Sequence, residues 1–283
     1  MKHISNVSLD RLTSFKQSGT IKSLYICESL NDIETFFSSH DAFCILGKGS
    51  NSLVLESHYD YPFVQLSPSF SSISYEDNIL IANAGITVNQ LISFSQDRGV
   101  SGFEFMAGVP ASVGGMVAMN FGCWDIEVSD RLAFVDVYIP GNGLTRLTKE
   151  ECLFSYRSSV FLKQSWMIIQ AAFHMTEDSP SCIKERVRDY VKQRVDKQPI
   201  RGQTFGSVFK NPENSYAAQL IEEVGLKGFQ HKGVQVSDQH ANFFINHEKA
   251  SCEDVRSMIG LIQKDVYAKF KIRLEPEVTI FGD

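Results

Sequence analysis

The sequence lacks the long apolar segments that define membrane and secreted proteins. In 283 residues, no uninterrupted apolar run approaches the roughly 20 residues needed to span a bilayer. The most apolar stretch, residues 102–122, is interrupted by Glu104, Pro110 and five glycines. The first residues contain no apolar core of the kind found in secretory signals. These absences favour a cytoplasmic protein.

Motifs for disulfides and metals are absent as well. The six cysteines contain no CxxC pair, and the seven histidines have no spacing typical of metal ligands. We therefore expect reduced thiols and no metal site. Basic residues are also few, with 27 Lys and Arg against 33 Asp and Glu and a formal charge of −6. This balance disfavours nucleic acids and anionic membranes as partners, although a local pocket can still bind a small anion.

The composition is that of a globular protein large enough for two domains, with 43% hydrophobic and 21% charged residues. The opening pattern predicts a β-α-β unit: a strand over Ser23–Cys27, a helix capped by Ser29 and a buried strand over Ala42–Leu46. Short strands continue to residue 172. One helix interrupts them, and it is bounded by a Thr-x-x-Gln capping box and a glycine over residues 87–99.

The second half of the chain is richer in helices. Helical periodicity covers residues 183–195, 216–224 and 255–266, and strand-like runs cover residues 160–162, 234–236, 243–245 and 278–281. A polar stretch before the first of these helices marks a domain boundary. The sequence therefore predicts an α+β fold with a larger domain over residues 1–180, in lobes 1–54 and 55–180, and a smaller domain over residues 181–283.

Two glycine-rich segments can bring the backbone close to a ligand. Gly47-Lys48-Gly49-Ser50-Asn51 follows a predicted strand, and it is either a plain tight turn or an anion-binding array of N–H groups. The segment 102–115 contains four glycines in an apolar setting. It fits a compact buried loop and a loop around a large flat cofactor equally well.

Three further segments carry side chains suited to catalysis or phosphate binding. Arg157, in Tyr156-Arg157-Ser158-Ser159, suits a surface ion pair, a carboxylate or a developing enolate. The segment Gly206-Ser207-Val208-Phe209-Lys210-Asn211-Pro212 combines phosphate ligands with a serine that lacks the GxSxG elbow of hydrolases. In Leu274-Glu275-Pro276-Glu277-Val278 both acids point to one face if the segment is a strand, and their spacing does not distinguish them.

The order of these segments resembles that of the UDP-N-acetylenolpyruvoylglucosamine reductase (MurB) family. The matching motifs are Gly47-x-Gly-Ser-Asn, Gly108-Val-Pro-Ala-Ser-Val-Gly-Gly, Tyr156-Arg157-x-Ser, Gly206-Ser-Val-Phe-Lys-Asn-Pro, Ala218-x-Leu-Ile-Glu-x-x-Gly-Leu-Lys-Gly228, Val236-Ser-x-x-His-Ala-Asn242 and Leu274-Glu-Pro-Glu-Val278. The resemblance covers nearly the whole chain. No large insertion follows Arg157, so the chain is similar to the shorter subclass of the family.

The resemblance implies a cytoplasmic flavoenzyme of peptidoglycan precursor synthesis. Such an enzyme uses FAD as cofactor and NADPH as co-substrate to reduce UDP-N-acetylglucosamine enolpyruvate to UDP-N-acetylmuramate. The resemblance implies no nucleic acid, membrane or obligate protein partner. The implied fold is an FAD-binding domain of the vanillyl-alcohol-oxidase type followed by a smaller α+β substrate-binding domain.

The family motifs also imply roles for single residues. Arg157 stabilises negative charge that develops on the substrate, Ser207 donates a proton to the carbanionic carbon, and Glu277 assists Arg157 or relays a proton. Arg157 and Asn211 are expected to bind substrate. The residues expected to bind FAD are Gly47, Gly49, Ser50, Asn51, Gly108, Pro110, Gly114, Gly115 and Asn120.

The sequence departs from the family pattern at Thr204-Phe205, Phe121 and Cys123-Trp124, which leaves the local shape of the pocket open. One alternative is another FAD-linked oxidoreductase of the same cofactor fold that acts on a different substrate. A second is a flavin- or UDP-sugar-binding module without turnover. Retention of the arginine, serine and glutamate together favours the reductase, because a flavin site alone needs none of them.

Overall fold

The computed structural model describes residues 1–55 and 60–282, and their contacts form two compact units. The first unit comprises Met1–Ile4, Leu24–Lys48 and Pro62–Gln193. The second comprises Ser5–Ser23, Gly49–Tyr61 and Arg194–Asp283. Each unit therefore collects residues from three separate stretches of the chain.

The helices are α1 (Leu30–Ser39), α2 (Val88–Arg98), α3 (Val113–Ala118), α4 (Pro180–Lys197), α5 (Ala217–Glu223) and α6 (Cys252–Phe270). The strands are β1 (Lys2–Ser8), β2 (Thr20–Cys27), β3 (Cys44–Ile45), β4 (Ser52–Val54), β5 (Phe63–Leu66), β6 (Ile73–Glu76), β7 (Ile79–Asn83), β8 (Val100–Ser101), β9 (Gly122–Cys123), β10 (Ile126–Glu127), β11 (Leu132–Ile139), β12 (Gly143–Thr148), β13 (Met167–His174), β14 (Thr176–Glu177), β15 (Gln230–His231), β16 (Val234–Val236), β17 (Phe244–Asn246) and β18 (Thr279–Phe281). This mixture of helices and strands is the predicted α+β class.

Two larger sheets include strands of the first unit. In the four-stranded sheet, β5 pairs in parallel with both β2 and β3, and α1 connects β2 to β3 as the β-α-β pattern predicts. The five-stranded antiparallel sheet has the order β12-β11-β13-β7-β6. Buried side chains from β7, β11 and β13 pack with those of α2 and α3 in its core, so that the sheet supports the segment that leads into α3.

Local capping explains where the predicted helices begin and end. Ser29 caps α1 by accepting a hydrogen bond from the Asp32 N–H at 3.2 Å. Thr87 and Gln90 form the expected capping box of α2, whose C-cap Gly99 adopts φ 66°. The polar side chains at these termini thus replace hydrogen bonds that the helix backbone cannot make.

The second unit has a three-stranded antiparallel sheet in the order β15-β16-β17 and a parallel pair of β4 with β18. Its core contains fully buried side chains from α6 together with Leu53 of β4. Asn246, at the end of β17, donates to the carbonyls of Phe15 and Lys16 at 2.8 and 2.9 Å. These distant contacts explain why early residues of the chain belong to the later unit.

Two features differ from the sequence predictions. Val160–Leu162, expected to be strand-like, is a 3₁₀ turn because Ser159 caps it by accepting from the Phe161 N–H at 3.2 Å. The domain boundary was placed at residue 180, whereas the contacts keep α4 with the first unit as far as Gln193. They also bring Ser5–Ser23 into the second unit, because long-range pairing outweighs position along the chain.

Candidate active site

The turn after β3 presents a row of backbone N–H groups. Within residues 1–55 and 60–282, the N–H groups of Gly47, Lys48, Gly49 and Ser50 donate no hydrogen bond to the protein. Gln65 fixes the start of the turn by donating its side-chain amide to the Gly47 carbonyl at 2.8 Å. Such an arrangement leaves the donors available to an anionic ligand.

The segment that leads into α3 lies against Gly47 within the first unit. A methyl group on Gly47 would stand 3.2 Å from Ser112 Oγ and 3.9 Å from Gly115 Cα. The Val113 and Gly114 N–H groups donate to the carbonyls of residues 86 and 84, which ties the segment to the residues that follow β7. Gly47 and the start of α3, more than 60 residues apart in sequence, are thereby adjacent within the first unit.

Glycine is required by close packing at two of the predicted positions. A methyl group on Gly114 would stand 3.0 Å from Ala84 Cβ, and Gly49 adopts φ 65° with the Leu12 carbonyl in the space of a side chain. Gly108, at φ 84°, and Pro110 are exposed in the intervening loop. Uncommitted N–H donors beside a side-chain-free surface suit the phosphates of FAD, so the residues present fit that cofactor.

A buried ionic cluster holds the start of this loop, and no local sequence pattern predicts it. Glu104 is 6% exposed, and it accepts hydrogen bonds from Ser101 Oγ at 2.8 Å and the Gly102 N–H at 2.9 Å. Arg186 of α4 donates to Glu104 at 2.7 Å and to Asp178 at 2.6 Å. Burial alone would raise the pKa of Glu104, but these hydrogen bonds outweigh it and lower that pKa below its ordinary value.

Asn120 lies in a buried framework of hydrogen bonds. Its side chain is 1% exposed, and its amide donates to Glu127 at 2.7 Å and to the Ser155 carbonyl at 3.1 Å. Its oxygen accepts from the Ser129 N–H at 3.1 Å. Both ends of the side-chain amide are thus bonded inside the first unit, and a role of Asn120 toward FAD stays a prediction.

Arg157 occupies a tight turn of the first unit. It has φ 53°, and its side chain is 13% exposed. The guanidinium donates to the Gly122 carbonyl at 2.5 Å and lies 4.8 Å from the Tyr156 ring centre and 5.9 Å from that of Phe121. Phe121, one of the departures from the family pattern, therefore forms part of the surface on which the arginine rests.

Ser207 and Glu277 lie on neighbouring extended segments of the second unit. Ser207 pairs with Phe243 in an antiparallel bridge, and the Glu277 N–H donates to the Val208 carbonyl at 2.8 Å. Asn51 donates its side-chain amide to the Glu277 carbonyl at 3.1 Å. The segment 207–210 is thus enclosed between residues 242–243 and 275–277, which brings the predicted proton donor beside one of the predicted acids.

The two candidate acids have different surroundings. The Glu275 side chain is 70% exposed and forms an ion pair with Lys210 at 2.6 Å. Glu277 is only half-buried beside Val208. The exposure and the ion pairing of the two glutamates therefore differ, although their sequence spacing does not distinguish them.

Asn211 accepts from the Ala217 N–H at 3.1 Å and so caps the start of α5.

Thr204-Phe205, another departure from the family pattern, has a structural explanation. Phe205 is 1% exposed, and its ring centre lies 5.0 Å from that of Phe15 and 6.1 Å from that of Phe244. Thr204 Oγ1 accepts from the Gly206 N–H at 3.2 Å and stabilises the turn before Ser207. The bulky pair thus contributes to the core and to the turn that presents the serine.

Residues 1–55 and 60–282 contain neither a metal-ligand cluster nor a membrane-spanning helix. No group of three or more His, Cys, Asp or Glu side chains there has an arrangement that could hold a metal ion. None of the helices in residues 1–55 and 60–282 has both the length and the apolar character needed to cross a membrane.

Comparison with protein families first gives the class of the chain. Residues 28–148 match the model of an FAD binding domain, which includes the Gly47 turn and the segment that leads into α3. Residues 198–281 match the model of the UDP-N-acetylenolpyruvoylglucosamine reductase C-terminal domain, which includes Ser207 and Glu277. The chain is thus a flavoprotein of two-part organisation, as its sequence motifs predict.

Full-length relatives then give the family. The chain is 34% identical over 282 residues to a UDP-N-acetylenolpyruvoylglucosamine reductase of Caldanaerobacter subterraneus. This match covers 98% of this chain and 93% of the relative. It is 35% identical over 276 residues to the enzyme of the same name from Exiguobacterium sibiricum. This match covers 95% of this chain and 90% of the relative. The crystal structure of UDP-N-acetylenolpyruvylglucosamine reductase (MurB) from Thermus caldophilus matches with a TM-score of 0.83 and 26% identity, covering 99% of this chain and 98% of that one. The chain belongs to the UDP-N-acetylenolpyruvoylglucosamine reductase family.

Proposed function

We propose that Arg157, Ser207 and Glu277 carry out the reductase chemistry of this family in the present chain. The reaction is the NADPH-dependent, FAD-mediated reduction of UDP-N-acetylglucosamine enolpyruvate to UDP-N-acetylmuramate in peptidoglycan precursor synthesis. The observation that carries the proposal is the similarity to reductases over 98% of the chain, together with the motifs that contain Arg157, Ser207 and Glu277.

Bound FAD supplies the hydride that is added to the terminal carbon of the enolpyruvyl group. Gly47 and Gly49 would bind its phosphates through their N–H groups, which donate no hydrogen bond within the described residues, and Gly114 and Gly115 would leave room for its close approach. Ser50, Asn51, Gly108 and Pro110 complete the proposed binding segments. The contribution of these residues is to hold and orient the cofactor.

Arg157 acts on the charge that hydride addition leaves on the substrate. The carbon next to the substrate carboxylate gains negative charge, and a fixed guanidinium stabilises the resulting enolate. The Gly122 carbonyl and the Tyr156 ring restrict the guanidinium before substrate binds. Arg157 therefore binds the substrate carboxylate and polarises it.

Ser207 donates the proton that completes the reduction. A serine hydroxyl is a weak acid, so it functions only when the acceptor is strongly basic and the donor is held in place. The hydrogen bonds of the 207–210 segment with residues 242 and 275–277 provide that rigidity. Glu277 assists the proton transfer, because its backbone bonds to Val208 next to Ser207, whereas the exposed Glu275 side chain is paired with Lys210.

Substrate binding and location complete the proposal. Asn211, at the start of α5, binds the phosphates of the UDP group together with the backbone around it. The activity belongs in the cytoplasm, where NADPH and nucleotide sugars are available. UDP-N-acetylglucosamine enolpyruvate and NADPH are its partners.

The test is anaerobic NADPH oxidation by the FAD-loaded protein with and without the enolpyruvyl sugar. Oxidation beyond one flavin equivalent only with the sugar supports the reaction, and a flavin that the sugar cannot reoxidise contradicts it. Ser207→Ala should retain flavin reduction by NADPH, while sugar reduction falls about 100- to 10,000-fold. Ser257→Ala, an exposed serine of the same unit, is the matched control. Normal turnover of Ser207→Ala would exclude the serine as the donor.

A further inference from the structure

Arg157 lies in a two-residue loop that is unusually well restrained. Ser155 and Ser158 exchange two backbone hydrogen bonds of 3.0 Å, which leaves Tyr156 and Arg157 at the tip. Arg157 adopts φ 53°, a left-handed conformation that is costly for a residue with a side chain. The surrounding contacts must therefore maintain this conformation.

A small hairpin faces the guanidinium. In the β9–β10 pair, Gly122 is directly opposite Glu127. The Gly122 carbonyl accepts from the guanidinium, and a Glu127 oxygen lies 3.9 Å from its other terminal nitrogen. A side chain at Gly122 would collide with Glu127 and stand 3.2 Å from Arg157 Nη1. One strand pair thus brings a carbonyl and a carboxylate to the same arginine.

Asn120 joins this hairpin to the loop. Its amide nitrogen donates to Glu127 and to the carbonyl of Ser155, the residue that closes the loop. Its φ of 44° directs the chain out of α3 toward β9. One buried amide therefore fixes the carboxylate and the base of the arginine loop relative to each other.

Glu127 is also held from its own backbone. Its N–H donates to Asp130 at 2.8 Å, within a reciprocal capping box at the 3₁₀ turn Val128–Asp130. Asn120 binds one carboxylate oxygen, and the other lies toward Arg157. The carboxylate is thus oriented from two sides before any substrate is present.

We infer that Glu127 is a positioning residue for Arg157 and that Asn120 is the buried link that orients Glu127. This inference rests on the proposed function, in which Arg157 stabilises charge on the substrate. The carboxylate restricts the guanidinium to one orientation, so that its donors already point where the negative charge develops. Glu127 itself does not contact the reacting atoms in this scheme.

The experiment measures the two half-reactions of the FAD-loaded enzyme separately in stopped flow. Glu127→Gln should leave flavin reduction by NADPH within twofold of the unaltered enzyme. It should slow flavin reoxidation by the enolpyruvyl sugar about 10- to 100-fold, the cost of a misplaced catalytic group. The effect should appear mainly in kcat rather than KM. Glu76→Gln, an exposed acid of the same unit, should change neither half-reaction.

A double-mutant cycle distinguishes positioning from a general structural role. In an Arg157→Ala background, Glu127→Gln should change reoxidation less than twofold, because the group through which it acts is gone. An equal effect in both backgrounds overturns the inference, as does normal reoxidation in the single variant. FAD content and melting temperature are measured on every variant, and they identify any loss that comes from misfolding. Asn120→Ser is the second test of the same link. It should also leave flavin reduction by NADPH unchanged and slow flavin reoxidation by the enolpyruvyl sugar.

The same data separate this inference from the proposed function. If Arg157→Ala reoxidises its flavin normally, the role proposed for Arg157 is wrong whatever Glu127 does. If Arg157→Ala is slow but Glu127→Gln is normal, the role of the arginine is supported and the positioning inference is overturned.

Discussion

The ionic cluster around Glu104 allows a quantitative prediction for Arg186→Ala. The substitution leaves a carboxylate that is 6% exposed without its charged partner. Removal of one partner from a fully buried pair costs about 3–5 kcal/mol. The Arg186 side chain is 39% exposed, so solvent compensates part of this loss, and we expect about 2 kcal/mol.

The expected loss corresponds to a decrease of about 4–8 °C in the melting temperature of the first unit. Thermal unfolding followed by circular dichroism measures it directly. Arg188→Ala is the matched control, because Arg188 lies on the same helix with a 75% exposed side chain and pairs only loosely with Glu185 at 3.8 Å. The control should change the free energy of unfolding by less than about 0.5 kcal/mol.

The pH dependence gives a sharper test of the same reasoning. The pKa of Glu104 is lower in the folded protein than in the unfolded chain, so its stabilisation is present above the unfolded pKa and is lost as pH falls through the folded pKa. Without Arg186, burial dominates and raises that pKa. The difference between the two proteins should therefore shrink from about pH 7 to about pH 4. An unchanged melting temperature at neutral pH, or a difference independent of pH, would refute the reasoning.

Two further predictions concern a turn and the thiols. Gly49→Ala should lower FAD occupancy, and it should lower the free energy of unfolding by about 3 kcal/mol or more, because its methyl group would overlap the Leu12 carbonyl. Normal flavin absorbance and an unchanged melting temperature would contradict this prediction. Burial raises the pKa of Cys27 and of Cys44 to about 11, so at neutral pH a disulfide reagent should modify exposed Cys182 well before either. Peptide mapping of the labelled protein checks the order, and early labelling of Cys27 would contradict it.

Features governed by neighbouring residues could be predicted from the sequence. The capping box of Thr87 and Gln90 and the cap at Ser29 depend on contacts within a few residues, and the structure confirms them. The β-α-β opening is confirmed as well, because each of its elements is marked by its own local pattern, although β2 and β3 both pair with the later strand β5. The 160–162 segment was the exception, since three apolar residues do not distinguish a strand from a turn of helix. Its outcome depended on the hydroxyl of the preceding Ser159.

Contacts between distant segments could not be predicted in the same way. Glu104 and Arg186 are 82 residues apart, and nothing in their local sequences pairs them. Asn120 was assigned to the cofactor by its motif, but its partners Glu127 and Ser155 became visible only in the fold. Motif order was nevertheless sufficient to predict the family, because functional segments keep their sequence while their supporting contacts depend on tertiary structure.

The parallel pairing of β4 with β18 has a consequence for folding during synthesis. The first unit has all its residues once Gln193 has left the ribosome, whereas the second unit lacks the partner of Ser52–Val54 until Thr279–Phe281 emerges. At about 5–20 residues per second, this interval lasts roughly 4–18 s. During that time β4 presents an unpaired edge, and its buried Leu53 and Val54 have no completed core to enter. The nascent chain therefore carries an edge that can pair with other chains until residues 279–281 have been made.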